Sequence, residues 1–504
     1  MTQIQVALLF LALYVGLTYW LSWLGGKKTK DLKGFSIGNR DMSPVLVGIT
    51  CAASIASSAT FLINPGFVYT HGWSAYVHFG LAAYLGLVCA LAVLTKAFHR
   101  NGTQLGALTI PDWVFRRFQN RGLALFFAGV NLLSIAFVVL ILVGCAILLA
   151  TLFGIGQKLA LVLVLLFVFS YVLIGGTYAH AYTNAVQGIM MAMIALFLFG
   201  QGWFNMEGGF WHNLSAQGSD YAAWFNPSSN LYHSFFSVML SSFLITFALM
   251  LQPHIMTKML YLRSEQDTRT FLTTTFVFGA IFSLVLFVGF FAKFKGMEIP
   301  RQDQVVATYL VETFSQGGGS VWILGFISVA LLAAGMSTLD GILVALSAMV
   351  VRDIVHPFFP SSNAQSGLVA SRWVLVGIGL VSLGLAWNPP KLVGLFAQQG
   401  VYGLAASLIV PVLFGLFSPR RVPVFAIAIG SGLSLTLHLL LNLVLDLPAF
   451  KNPSVSAATG ILVGLGITAL ILWFQPRATS VTSGSQTKPG SPSGTQTETQ
   501  RSVV

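Results

Sequence analysis

Thr50-Cys-Ala-Ala-Ser-Ile-Ala-Ser-Ser-Ala-Thr-Phe-Leu-Ile-Asn-Pro-Gly66 lies in a segment, 43–68, long enough to cross a bilayer, yet its middle is almost all small or hydroxylic. Pro65 offers no N–H to the carbonyl of Phe61, and its ring crowds that carbonyl, so the proline predicts a helix break near 61–66. A break at membrane depth is tolerated only where it is buried in protein or lines a cavity. Freed carbonyls beside hydroxylic side chains suit a cation and a polar solute. The competing reading of the same residues is a small-residue packing face between helices.

Working outward, the composition sets the solvent. Of the 504 residues 56% are apolar and 8% charged, where a soluble domain carries about 25% charge. The chain therefore reads as an all-α polytopic membrane protein, each span needing about 20 apolar residues. Cys51, Cys89 and Cys145 all fall in apolar segments and show neither metal spacing nor a disulfide framework. The first apolar segment lacks a basic leader and a small-residue cleavage site, and reads as a retained helix.

About thirteen transmembrane helices are expected, at 4–24, 43–68, 72–97, 123–153, 159–178, 181–204, 234–255, 271–295, 319–350, 369–387, 392–417, 422–446 and 453–474. With the N-terminus outside, the inside loops and tail hold twenty of the 26 basic residues, among them Lys27, Lys28, Arg116, Arg117, Lys258 and Arg263. The loop 205–233 has none. That bias predicts N-terminus out and C-terminus cytoplasmic, in a cell (plasma or inner) membrane. The same loop carries Trp203, Phe210, Trp211, Tyr221, Trp224 and Phe225 at its edge or within it, which suits an outer interface or a partial lid. Residues 1–474 form the transporter-like domain, and 475–504, rich in Ser, Thr, Gln, Gly and Pro, are expected to be a disordered cytoplasmic tail.

Spans 2–6 and 7–11, about 43–204 and 234–417, form two sets of five. Five is odd, so the second set runs inverted relative to the first. The third member of each is unusually long, and the first member of each carries a proline, Pro65 and Pro253. Matched interruptions in inverted halves point to a transporter site at the midplane.

Span 9 places Ala334, Ser337, Thr338, Gly341, Ala345 and Ala348 on one small helical face with two hydroxyls in its middle. That face packs closely against another backbone, or closes an oxygen cage round a hard cation. Asp340 lies one residue from it; a buried acid here binds a cation, carries a proton or holds a neighbouring helix. Gln252-Pro-His254 ends span 7, where Gln252 is either a solute contact or a polar helix end near the inner interface. Asn184 and Gln187 open span 6, where Asn and Thr also serve as caps. No deep Arg or Lys is expected to pair a carboxylate.

Phe35-Ser-Ile-Gly-Asn-Arg40, Ser57–Gly66, Ile110-Pro-Asp112, Gln252-Pro-His254, Ala334-Gly-Met-Ser-Thr-Leu-Asp340 and Val351-Arg-Asp-Ile354 occur in order at the expected spans. Together they resemble the sodium:solute symporter family, in detail its pantothenate and proline branches. The resemblance implies a LeuT-like five-plus-five inverted repeat with one extra N-terminal and two extra C-terminal helices. It implies a single sodium site built from the carbonyls of Ala53, Ala56 and Ala334 and the hydroxyls of Ser337 and Thr338. It places the unwound stretch at 55–58, not at the proline, with solute near Ser57, Ser58, Thr60 and Gln252. Where the family commonly has an aspartate on the sodium release path, this chain has Asn184.

The expectation is a secondary active transporter that moves a small organic solute (carboxylate, amino acid, vitamin or sugar) with sodium by alternating access. No cofactor, nucleic acid or obligatory protein partner is implied. An enzyme is excluded, since no span carries a nucleophile–base pair or a metal-ligand cluster. The rivals are a proton-coupled symporter using Asp340, a solute sensor and a passive facilitator on the same scaffold.

Overall fold

The computed structural model describes residues 2–30, 32–57, 59–314, 320–359, 364–390, 393–418, 422–445 and 447–475. Ser58 and all of the expected tail beyond Gln475 lie outside them. Among the described residues the secondary structure is helical, with a single isolated bridge between Met42 and Leu262. Eleven helices are long and apolar enough to cross a membrane, and thirteen when each of two bent pairs counts as one span. The bent pairs are Pro44–Ile55 with Ala59–His71, turning by 50°, and Phe236–Leu249 with Pro253–Leu260, turning by 63°. They are the first members of the two five-span sets, and the third members, Arg121–Thr151 and Val321–Phe358, are long as expected.

The ninth span, Val321–Phe358, is the axis of the bundle: 94% of its most apolar stretch is buried, against 22% for the first span, Ile4–Gly26. Small residues allow this. Ala333, Ala334, Ser337 and Thr338 are fully enclosed, and the Ser337 hydroxyl reaches the Ala53 carbonyl of the second span at 3.0 Å. The fifth and sixth spans, Gln157–Ile174 and Gly176–Phe204, are two helices joined at a kink, where Gly176 has φ 53° and ψ −137°. Only glycine suits that position twice over. A side chain there disfavours the backbone angles, and its Cβ would stand 2.4 Å from the ring of Phe35.

The first break falls at Ala56 and Ser57, and the proline is not its cause. Helix Pro44–Ile55 ends on Ala56 (φ −84°, ψ 76°), and the Ser57 hydroxyl turns back to accept the N–H of Ala59 at 3.1 Å. A π-helical turn, Ala59–Ile63, then leads into Asn64–His71, with Pro65 in its first turn. An N–H is dispensable there, so the proline starts a helix instead of ending one. The break expected from Pro65 at 61–66 is therefore corrected to the position that the family resemblance implied. In the seventh span the helix tightens through i→i−3 bonds at Met250, Leu251 and Gln252. It opens at Gln252 (φ −57°, ψ 142°) and restarts with Pro253 at its first position. Gln252-Pro-His254 is thus mid-span and buried, not at an interface, and the span extends to Leu260.

The aromatic loop folds over one end of the first bent span. Its short helices Phe210–Ala216 and Ser219–Ala222 set Tyr221 Oη to donate to the Val68 carbonyl at 3.0 Å. Asn226 Nδ2 donates to the His71 carbonyl at 3.2 Å, and Trp73 packs its ring against Phe210, Trp211 and Trp224.

At the opposite end, three of the quoted motifs meet. Arg40 Nη2 donates to the Ala107 carbonyl at 3.1 Å. Asp112 accepts from Arg116 Nε at 2.9 Å and from Arg352 Nη2 at 3.5 Å, while Thr109 Oγ1 donates to Asp353 Oδ2 at 2.5 Å.

Candidate functional site

Ala53, on the last turn before the first break, faces the small stripe of the ninth span. The Ser337 hydroxyl lies 3.0 Å from the Ala53 carbonyl and 2.7 Å from the Ala334 carbonyl. The Thr338 hydroxyl lies 3.1 Å from the Ser54 carbonyl. Ala53, Ala334, Ser337 and Thr338 are fully buried, and Ala56 is 5% exposed. The donor set is carbonyl and hydroxyl oxygen only. Among the described residues no group of His, Cys, Asp and Glu is placed to hold a metal. Neutral hard oxygens of this kind suit a monovalent alkali cation better than a transition metal.

Beside this cluster is a cavity of about 180 Å³. Ser57, Thr60 and Gln252 line it with Ala56, so both broken spans contribute to one wall. Phe79, Tyr84, Phe137 and Phe282 supply apolar surface to the same cavity. Gln252 is 3% exposed and its Nε2 donates to the Leu249 carbonyl at 3.1 Å, which orients its Oε1. That Oε1, and Nε2 of His254, are buried polar atoms with no protein partner. A buried acceptor left open in a cavity is the mark of a site built for a hydrogen-bonding ligand.

Asp340 is held on three sides. Oδ1 accepts from the Gly341 N–H at 2.7 Å and faces His180 Nδ1 at 2.9 Å, and Oδ2 accepts from Tyr171 at 3.1 Å. Asn184 is wholly buried; its Nδ2 donates to Ser54 Oγ at 2.8 Å and approaches His180 Nε2 at 3.3 Å. It is therefore one residue from the oxygen cluster and no helix cap. Gln187 also lies inside, donating to Tyr14 at 2.6 Å.

Two participants were not anticipated. His180 falls in the gap expected between spans 5 and 6, and Lys258 was assigned to an inside loop. Lys258 is fully buried, with Nζ 2.9 Å from His180 Nε2 and 2.9 Å from the His254 carbonyl. The expectation of no deep lysine is thus corrected: the seventh span restarts at Pro253 and carries Lys258 inward. An ionisable residue within a few positions of a helix break was the signal available in the sequence.

The sodium:solute symporter family model matches residues 35–424. The chain belongs to the sodium:solute symporter family. A sodium/pantothenate symporter of Haemophilus influenzae is 26% identical over 407 residues, covering 78% of this chain and 81% of its own. A sodium/proline symporter of Staphylococcus aureus is 25% identical over 434 residues (82% and 81%), and an uncharacterized symporter of Bacillus subtilis is 23% identical over 433 (82% and 81%). In structure the chain is similar to a Na+-coupled sialic acid symporter in its substrate-bound outward-open state. The TM-score is 0.73 at 18% identity, over 93% of this chain and 97% of that one. A nucleobase-cation-symport-1 transporter gives 0.56 at 14% identity, over 87% and 94%. This family member has the LeuT-like fold. It is a multi-pass membrane transporter, not an enzyme, and couples sodium to the symport of a small organic solute.

Proposed function

We propose that Ala53, Ala56 and Ala334 through their carbonyls, and Ser337 and Thr338 through their hydroxyls, bind the sodium ion, and that Ser57, Ser58, Thr60 and Gln252 meet the solute. The observation that carries this is the approach of the Ser337 hydroxyl to the carbonyls of Ala53 and Ala334, at 3.0 and 2.7 Å, at the edge of the cavity. The two helices joined there belong to opposite repeats, so an ion between them ties the repeats together. Sodium completes the outward-open site, and with solute bound the site closes and opens inward. Low internal sodium then releases the ion. The membrane potential contributes about 2.3 kcal/mol per charge per 100 mV. The charge bias of the loops supports a cytoplasmic C-terminus in the cell membrane, and with it solute import.

The cavity lining includes no Lys, Arg, Asp or Glu side chain. This favours a solute whose single negative charge is balanced by the co-bound sodium, with an N–H or O–H for Gln252. Relatives named for pantothenate and proline, both small carboxylates, are consistent with it.

The test is thermal stability of purified protein against a panel of small carboxylates and amino acids, each with sodium and with choline. Stabilisation by a solute only in sodium is the expected result, through linked binding. In Ser337→Ala/Thr338→Ala the sodium needed for half-maximal effect should rise by about tenfold or more, for two lost ligand oxygens. Unchanged sodium dependence in the folded variant would exclude the site.

A further inference from the structure

Lys258 is an ammonium at membrane depth whose two hydrogen-bond partners are neutral acceptors, His180 Nε2 and the His254 carbonyl, each at 2.9 Å. A charge so placed needs an opposite one nearby. Asp340 is that charge, reached through a single imidazole. The partners determine the tautomer of His180. Its Nε2 accepts from Lys258 and faces the Asn184 amide nitrogen, so its Nδ1 carries the proton and donates to Asp340 at 2.9 Å. Asp340 also takes donors from Tyr171 and the Gly341 backbone, which suits an ionised carboxylate with no hydrogen of its own.

One oxygen in this cluster is idle. Asn184 is fully buried, its three amide contacts, to the Thr50 carbonyl, Ser54 Oγ and His180 Nε2, all use the nitrogen, and its Oδ1 has no protein partner. Lys258 and Asn184 therefore meet His180 on its Nε2 side, where the His254 carbonyl also faces the ammonium, and the Asp340 carboxylate lies across the ring at Nδ1. The positive group among them is a lysine tip on a tether, where a free ion would serve equally well.

We propose that the Lys258 ammonium is a resident cation, taking the place of a second transported ion, and that it limits this symporter to one bound sodium. This rests on the assignment of the sodium cage to Ala53, Ala56, Ala334, Ser337 and Thr338. Lys258 compensates Asp340 throughout the cycle without leaving, so a single ion enters and leaves at the cage. Removing the ammonium leaves the buried Asp340 carboxylate uncompensated across the His180 ring, and a sodium ion from solution takes the place the ammonium held beside the His254 carbonyl. His180 is a positioning residue in this scheme: it transmits the charge of Lys258 to Asp340 without meeting ion or solute.

The experiment is equilibrium binding of radioactive sodium to the purified full-length protein, with no organic solute present. Wild type should take up about one ion per molecule with a hyperbolic isotherm, and Lys258→Met about two, with a Hill coefficient above one. Lys258→Met/Asp340→Asn, which removes both charges, should return to one, and Lys258→Arg should stay at one. A folded Lys258→Met that binds as many ions as wild type overturns the inference, as does a wild type that binds two. A wild type that binds no sodium overturns the cage assignment as well. Should Lys258→Met not fold, Asp340→Asn supplies the converse. Its uncompensated ammonium should weaken sodium binding at the cage by about tenfold, and the double substitution should restore it. Unchanged affinity in Asp340→Asn would overturn the inference.

Discussion

The two bent spans hold corresponding places in the inverted repeats, and each has a proline in its second half, Pro65 just after the π-helical turn and Pro253 at the first position. Their chemistry differs sharply. The first presents alanine and serine at its break and no Asp, Glu, His, Lys or Arg between Thr50 and Gly66. The second presents Gln252 and His254, and follows them with Lys258. The first break leaves carbonyls facing the hydroxyls of the ninth span; the second gives the cavity two unpartnered polar atoms and the bundle an internal charge. One geometry thus serves two tasks, a neutral oxygen seat and a polar, charge-compensated wall.

The sharpest way to break this contrast is to leave one charge of the second side unpaired. In sodium-free buffer, Lys258→Met or Asp340→Asn alone should cost about 3–5 kcal/mol of stability, because the remaining charge stays buried. Both together should recover most of that loss, read as the melting temperature of the purified protein. Equal losses in the single and double variants would mean that the charges do not compensate each other.

On the solute wall, Gln252→Leu removes one of the two unpartnered polar atoms. It should weaken solute binding by about tenfold, the size of one hydrogen bond to a buried group, while sodium binding without solute stays within about twofold. Parallel loss of both would make Gln252 a structural residue.

Asn184→Asp sharpens the comparison from the other side by adding a carboxylate 2.8 Å from Ser54, beside the oxygen seat. The sodium needed for half-saturation should fall by about threefold to tenfold. A rise would place the idle Asn184 oxygen outside the reach of the ion.

The smallest effect is expected at Pro65. Because it sits in a first turn where no N–H is required, Pro65→Ala should shift stability by less than about 1 kcal/mol and leave sodium dependence within about twofold. A tenfold loss of sodium affinity would return the cause of the break to the proline.

Much of this was legible before any coordinates. Apolar segment lengths determined the thirteen spans, because a hydrocarbon core admits little else than helices of that length. The odd number of spans per set made the repeats inverted. The small stripe 334–348 and the hydroxyls of Ser337 and Thr338 stood on one helical face by period alone. Ser57 and Thr60 from one segment and Gln252 from another, grouped by the family resemblance, line one cavity.

Other features were decided only in three dimensions. A proline forbids an N–H, but whether that breaks a helix or begins one depends on what precedes it. At Pro65 it is a π-helical turn that no local preference announces. Lys258 reads as a loop cation in sequence, since a charged residue past an apolar run is normally at an interface. Its burial follows from the restart at Pro253 and from partners 78 and 82 residues away, His180 and Asp340, on two other helices. Composition and periodicity set which surfaces face lipid and which face each other. The pairing of a buried charge depends on contacts across the bundle, which only the packed helices supply.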